Sequence, residues 1–349
     1  MEKQKLELLN MNMKELNEFF ISIGCKTYNI KQFLEWIYKK NELDFSKMSN
    51  FSLDLRKTLD EKSFLYEVEL VKYKESRDGT SKYLFKLSDD SLIETVLIPT
   101  EKRNTICLSS QVGCKFNCLF CASGKIKFKR NLTQSEILSQ ILFIKKHKNL
   151  DRVSNVVFMG VGEPLDNFDN VVSAIKIINN KDCFNIGARK IVISTCGLVP
   201  EIKKLSEIDM QVELAVSLHA VKDGIRNKLV PINKKYSISK LMEACKGYCL
   251  KTNRQITFEY LMIKDFNDSI EYASILVNLL KDFCSKVNII KYNKIPNLDF
   301  KASDSIQIGK FIDVLEKNKI PVTVRFSRGA DIMGACGQLM GEETNSEDL

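Results

Sequence analysis

From residue 104 onward, strand-like runs alternate with helix-like runs, and no other feature narrows the fold as much. The strand runs are "NTICLSS", "VSNVVFM", "KIVIST", "VELAVSL", "ITFEYLM", "KVNIIKY" and "IPVTVRF". Between them lie helix candidates such as "LTQSEILSQILFIKKHK", "NVVSAIKIINN", "ISKLMEACKGYCLK" and "IEYASILVNLLKDFC". Parallel strands need long crossovers, so this alternation predicts βα units around a parallel sheet. Six or seven units suit an α/β barrel or a partial (β/α)6 barrel. A doubly wound open sheet is the competing architecture.

The preceding residues follow a different pattern. In 1–65, "MKELNEFFISIG" ends in Gly24, a C-capping residue, and "YNIKQFLEWIYKK" spaces Ile30, Phe33, Leu34 and Ile37 for one helix face. These residues predict a small helical N-terminal domain. Its lysines and Trp36 could touch RNA, although a packed helical face accounts for them equally. In 66–103, "RDGTSKYLFKL" and "SDDSLIETVLIP" carry turn signals between alternating runs, which predicts a β extension. The core is expected over 104–340, and the acidic stretch 341–349 as a disordered tail.

The first residues lack an apolar leader segment, and no run of eighteen apolar residues occurs. A cytoplasmic protein without a membrane partner is expected. Its 11 cysteines are then metal ligands, reactive groups or core residues rather than a disulfide framework. The net charge of +9 favours an acidic partner such as nucleic acid, but lysine-rich solvated faces would give the same number.

Unusual residues gather where core strands end. Cys114, Cys118 and Cys121 follow "NTICLSS", and Gly160 to Pro164 ("GVGEP") follow "VVFM". Ser194 ends "KIVIST", Ser217 to His219 end "VELAVSLH", and Asn293 follows "KVNIIKY". In α/β barrels the C-terminal strand ends form the active-site face. The cysteine triplet has three readings: thiols on a buried helical turn, a zinc site with Cys107 as fourth ligand, or a [4Fe–4S] cluster with one open iron. Two other cysteines stand apart. Cys107 lies on the first core strand, and Cys336 lies in "GACGQLMGE", where Gly334, Ala335 and Gly337 leave its thiol sterically open on a flexible stretch. An inert, buried thiol is the bland alternative for Cys336.

The Cys-x₃-Cys-x₂-Cys spacing, with Phe120 before the last cysteine, resembles the radical S-adenosylmethionine superfamily. "ICLSSQVGCKFNCLFCASG", "RNLT", "NVVFMGVGEPLDN", "LAVSLHA", "LVPINKKY" and "SRGADIMGACGQL" resemble the RlmN family over nearly the whole chain. That resemblance implies a radical S-adenosylmethionine methyltransferase. Its expected substrates are C2 of an adenosine in 23S rRNA and of the adenosine 3′ of the anticodon in some tRNAs. It implies one [4Fe–4S] cluster on Cys114, Cys118 and Cys121, and two S-adenosylmethionine molecules per turnover. Gly162, Glu163, Ser194, Ser217, Leu218, His219 and Asn293 match the family's cofactor contacts. Cys336 would carry a methyl group, then add to C2. Glu94 would take the C2 proton, with Cys107 a rival for that role. Cys107 would release the product by forming a transient disulfide with Cys336. A one-electron reductant such as flavodoxin or ferredoxin and a monomeric state are also expected.

Some positions depart from the family pattern. Val161 stands where Met is common and Lys127 where Gly is common; Cys196 and Gly334 depart mildly. "KIKFKRNL" interleaves Lys125, Lys127, Lys129 and Arg130 with Ile126 and Phe128, a candidate RNA-facing strip or a solvated helix entry. Cfr-type enzymes, which methylate C8 of 23S rRNA and confer antibiotic resistance, are the sister reading. Pro164, Arg328 and Gly329 fit the C2 family better. A zinc-stabilised RNA-binding protein and a radical enzyme with a small-molecule substrate are further alternatives.

Overall fold

A computed structural model describes residues 5–282, 284–295 and 298–340; the expected tail, 341–349, lies outside the described residues. The main sheet has ten strands. In chain order they are β1 (Glu69–Glu75), β2 (Ser81–Lys86), β3 (Leu92–Thr100), β4 (Arg103–Cys107) and β5 (Asn155–Phe158). Then come β6 (Ile191–Thr195), β7 (Glu213–Ser217), β8 (Ile256–Met262), β9 (Ser285–Lys291) and β10 (Val322–Arg325). Every strand lies beside its neighbour in sequence. From β4 to β10 all pairs are parallel. All seven runs expected as core strands are there.

Helices span the six crossovers between these parallel strands. The chain's helices are α1 (Met13–Ser22), α2 (Thr27–Leu34), α3 (Leu53–Lys62), α4 (Gln134–His147) and α5 (Phe168–Asn179), followed by α6 (Val199–Ser206), α7 (Asp223–Leu229), α8 (Ile238–Thr252), α9 (Ile270–Leu280) and α10 (Ser305–Lys317). A doubly wound sheet reverses its strand order at a switch point. No reversal occurs here, so the sequence builds a partial (β/α)6 barrel, left open between edge strands β1 and β10. Alternation sorts the strand residues. On β8, Ile256, Phe258, Tyr260 and Met262 pack under the helices, while Glu259 and Leu261 face the barrel interior.

The β extension does not stand apart from this sheet. β1, β2 and β3 are antiparallel and pair onto β4, with Val96 opposite Cys107. The N-terminal helices behave as their spacing requires. Asn12 and Glu15 close a capping box on α1, Gly24 leaves the helix at φ +80°, and Ile30, Phe33, Leu34 and Ile37 are buried. After α2 the chain widens into a π-helical turn, Glu35–Lys39. Trp36 is tied within the module: its indole N–H donates to Asn50 at 2.6 Å and Lys40 sits 3.9 Å above the ring. The module docks on α4, where buried Lys145 donates to the carbonyls of Tyr38 and Lys39 at 2.7 and 2.9 Å.

Thr133 and Glu136 form the capping box that starts α4. Arg130 grips that glutamate at 2.7 and 2.8 Å and Asp89 at 2.8 and 2.9 Å. Its donors are therefore spent inside the protein, which removes Arg130 from the expected RNA-facing strip. Lys125, Lys127 and Lys129 remain exposed.

Candidate active site

The loops after β4, β5, β6, β7 and β9 converge on one cavity of about 150 Å³. Cys114, Cys118, Cys121, Gly162, Glu163, Ser194, Ser217, His219, Asn293 and Cys336 all line it. These residues span more than 220 positions of sequence, and they meet because the parallel strands all end on one side. Leu218 does not line the cavity. Its side chain is fully buried in the core, its N–H donates to Glu259 O at 3.1 Å, and its carbonyl accepts from Arg226 at 3.0 Å. Glu94 does not line it either.

The cysteine loop is folded on its own backbone. Cys121 N–H donates to Cys118 O, and Gly124 N–H to Cys121 O. Asn117 takes φ +51°, which lets the chain turn between Cys114 and Cys118. Burial pushes the Cys114 thiol up to about 12 and Cys118 well above its ordinary value. Three such thiols become thiolates together only beside strong positive charge, as an iron–sulfur cluster provides. Among the described residues no three Cys, His, Asp or Glu side chains converge on a single ion. Cys107, the candidate fourth zinc ligand, lines a different cavity. The donor set therefore fits a [4Fe–4S] cluster with an open iron.

Glu163 is buried in the Gly-rich loop. Its carboxylate accepts from Cys196 N–H at 2.7 Å and Leu165 N–H at 3.1 Å, and desolvation raises its pKa to about 7. Gly162 at φ +102° stands so near Gln111 that a Cβ there would lie 2.5 Å from the Gln111 Cβ. Only glycine keeps this close approach. His219 adopts φ +55°. Its Nδ1 accepts from Leu261 N–H at 3.1 Å, and Phe120 meets its ring edge-on at 4.5 Å. Burial and the Arg226 charge push its pKa down to about 3, so it is a neutral imidazole. Nδ1 thus serves the fold, while the ring still faces the cavity.

Cys336 lines this cavity and also a second one of about 130 Å³. Cys107 lines only the second. The two cysteines thus share one small chamber reached from the cluster side. All eleven cysteines are free thiols. Burial, then the neighbouring Cys336, pushes the Cys107 thiol up to about 12. The segment around Cys336 is not the flexible stretch that its glycines suggest. Asn293 donates to Cys336 O at 3.1 Å, Ala122 N–H to Gly337 O at 2.7 Å, and Ser123 to Leu339 O at 2.6 Å. On its other side, Met340 N–H donates to Glu94 at 2.6 Å, and Glu94 pairs with Lys82 at 2.8 Å. Gly329 N–H donates to Asp78 at 3.0 Å and Ser76 to Asp331 at 2.6 Å. The segment bridges the open side of the barrel, and its glycines serve close approach: a Cβ on Gly337 would lie 3.1 Å from Phe120 O.

Three charges were not singled out from the sequence: buried Glu259, half-buried Arg325 and buried Arg226. Glu259 lines the cavity floor and accepts from Asn288 at 3.1 Å on both oxygens. Arg325 lines both cavities and donates to Met159 Sδ at 3.2 Å. Arg226 is fully buried and donates to the carbonyls of Cys196, Ser217 and Leu218 and to Asn233 at 2.8–3.0 Å. The only sequence signal for the first two was a charge at an inward strand position.

Comparison with known proteins places this arrangement. Residues 6–65 match the ribosomal RNA large subunit methyltransferase N-terminal domain, and residues 108–273 match the radical SAM superfamily. The chain is 46% identical to a probable dual-specificity RNA methyltransferase RlmN of Carboxydothermus hydrogenoformans, over 95% of this chain and 97% of that one. It is 44% identical to the dual-specificity RNA methyltransferase RlmN of Vesicomyosocius okutanii, over 98% and 97%. A crystal structure of a radical SAM methyltransferase from Sphaerobacter thermophilus superposes with a TM-score of 0.92 at 38% identity, covering 97% of this chain and 100% of that one. The open barrel, its cysteine loop and its helical N-terminal module are those of a radical S-adenosylmethionine RNA methyltransferase, and the chain belongs to the RlmN family.

Proposed function

We propose that this enzyme methylates C2 of an adenosine in 23S rRNA and of the adenosine 3′ of the anticodon in some tRNAs. One observation carries the reading: Cys336 lines both the cluster-side cavity and the chamber that holds Cys107. Adenine C2 lies between two ring nitrogens and is electron-poor, so it does not attack a sulfonium methyl directly. A protein sulfur that first accepts the methyl group and then hands it on answers that difficulty.

Cys114, Cys118 and Cys121 hold the cluster in this reading, and Gly162, Glu163, Ser194, Ser217, His219 and Asn293 surround S-adenosylmethionine. Together the two groups supply the methyl group and one-electron chemistry, with two S-adenosylmethionine molecules used per turnover. Cys336 carries the methyl group and becomes joined to the RNA. A base takes the C2 proton: Glu94, which is tethered to the Cys336 segment through Met340 N–H but lines neither cavity, or its rival Cys107, which lines the chamber itself. Cys107 thiolate then attacks Cys336 sulfur; the S–C bond breaks with its electron pair going to the methylene carbon, which takes up a proton to become the methyl group, and a Cys107–Cys336 disulfide remains for reduction. Residues 1–65 act as an RNA-binding accessory domain beside the β extension 66–103 and the core 104–340. The enzyme works as a cytoplasmic monomer fed by flavodoxin or ferredoxin. Among the described residues no helix is long and apolar enough to cross a membrane.

Nucleoside mass spectrometry tests the reading. Holoenzyme with S-adenosylmethionine, reductant and an rRNA fragment is expected to yield 2-methyladenosine. An 8-methyladenosine peak would move the chain to Cfr-type chemistry. A Cys107→Ala variant is expected to accumulate a covalent protein–RNA adduct, and its absence would remove Cys107 from the resolving role.

A further inference from the structure

An open groove of about 1040 Å³ lies between α10, edge strand β10 and the loop after β9. Its floor is apolar: Ile308 and Ile312 come from α10 and Val324 from β10. Phe326 follows β10, is 84% exposed, and lines both this groove and the chamber of Cys107 and Cys336. No other aromatic side chain among the described residues is as exposed. A lone exposed phenylalanine is ordinary; one that caps an apolar groove at the mouth of a reaction chamber is not. Exposed Lys291 and Lys294 flank the groove, and no carboxylate lines it. Tyr292 lines both this groove and the cluster-side cavity.

We propose that this groove is the docking subsite for an unpaired nucleotide of the RNA, adjacent to the target residue: its base stacks on Phe326, and its phosphates meet Lys291 and Lys294. The proposal rests on RNA being the substrate, not on which adenine carbon is methylated. The chemistry requires it in outline. An adenine that reaches an enclosed chamber must leave its stack, and its neighbours lose a stacking partner. A ring with cationic flanks replaces that partner for any base, because every base has a π-face. Charge complementarity selects a polyanion over a second copy of this basic chain.

The test is RNA binding, which is independent of the methylation product. Fluorescence anisotropy of a labelled single-stranded RNA and its duplex, with cluster-loaded enzyme, is the measurement. Phe326→Ala is expected to weaken single-strand binding about tenfold, within the range that base–aromatic stacking spans, with Phe326→Trp restoring it and the duplex unaffected. The Lys291→Ala/Lys294→Ala variant is expected to flatten the slope of log affinity against log salt by about 1.4 for two lost contacts on a single strand. Cofactor cleavage without RNA is expected to stay unchanged in the Lys291→Ala/Lys294→Ala variant. Single-strand affinity in Phe326→Ala within about twofold of the parent would overturn the proposal. So would a self-association that Phe326→Ala abolishes while RNA binding persists, which would give the groove to a second copy.

Discussion

Replacing Arg226 by Met tests whether one buried cation holds the strand-end loops of the active site in place. Its guanidinium is fully buried and makes four hydrogen bonds: to Leu218 O at 3.0 Å, Ser217 O at 2.9 Å, Cys196 O at 2.8 Å and Asn233 Oδ1 at 2.9 Å. A charge-assisted bond contributes about 1.5–3 kcal/mol, so the gross loss is roughly 6–12 kcal/mol. Against this stands the cost of burying the guanidinium, several kcal/mol, which also draws its pKa below the usual arginine value. Methionine removes that cost and fills much of the volume, but it leaves three carbonyls without their donor. The net expectation is a loss of about 3–5 kcal/mol, the range for removing one partner from a buried ionic network. Arg226→Lys keeps the charge but reaches fewer acceptors, so it should fall between the two. Urea unfolding of the apoprotein, followed by circular dichroism, measures this as a lower midpoint at unchanged slope. A loss under about 1 kcal/mol for Arg226→Met at the same slope would refute the clamp.

Other substitutions probe separate joints. Gly162→Ala should abolish S-adenosylmethionine binding by calorimetry, because the residue sits at φ +102° against Gln111, while melting changes by only about 1–3 kcal/mol. Lys82→Met removes the cation beside buried Glu94 and should cost about 3–5 kcal/mol in a thermal or urea melt; adding Glu94→Gln should recover part of it, and strict additivity would contradict the pairing. For Cys107, a thiol near 12 holds only about one thiolate in 10⁴ at pH 8. Since the shift is upward, alkylation of Cys107 in the apoprotein should rise about tenfold per pH unit from pH 8 to 10, read by peptide mass spectrometry. A rate that levels off by pH 9 would contradict the burial argument.

The core strands were legible because the inner ones are buried along most of their length and read as β-branched runs, as "KIVIST" and "VELAVSL" do. The site was legible because reactive residues fall at strand ends, and a parallel sheet brings those ends together. Register was not legible. The run "LIETVLIP" reads as a strand whether it forms a separate hairpin or joins the core, and only the pairing of Val96 with Cys107 decides between them. Glu259, Arg226 and Arg325 were passed over because a charge in a sequence is exposed by default, and burial depends on neighbours far along the chain. In the sequence, the glycines near Cys336 suggest mobility. They are instead points where backbone passes close to backbone, at Phe120, or to a side chain, at Thr80.

The bridging segment has a consequence for how the protein is made. A ribosome delivers the chain from its N-terminus, and folded units can form as they emerge. The cysteine loop and most of the barrel are synthesised well before residues 329–340, which close the open side through Asp78, Glu94, Asn293 and Ser123. A nascent chain that stops short of these residues can carry Cys114, Cys118 and Cys121 but lacks Cys336 and the backbone that holds it. Emergence of residues 329–340 is thus the event that completes the cavity wall, and a product truncated before them would leave the cysteine loop without the segment that bonds Ala122 and Ser123.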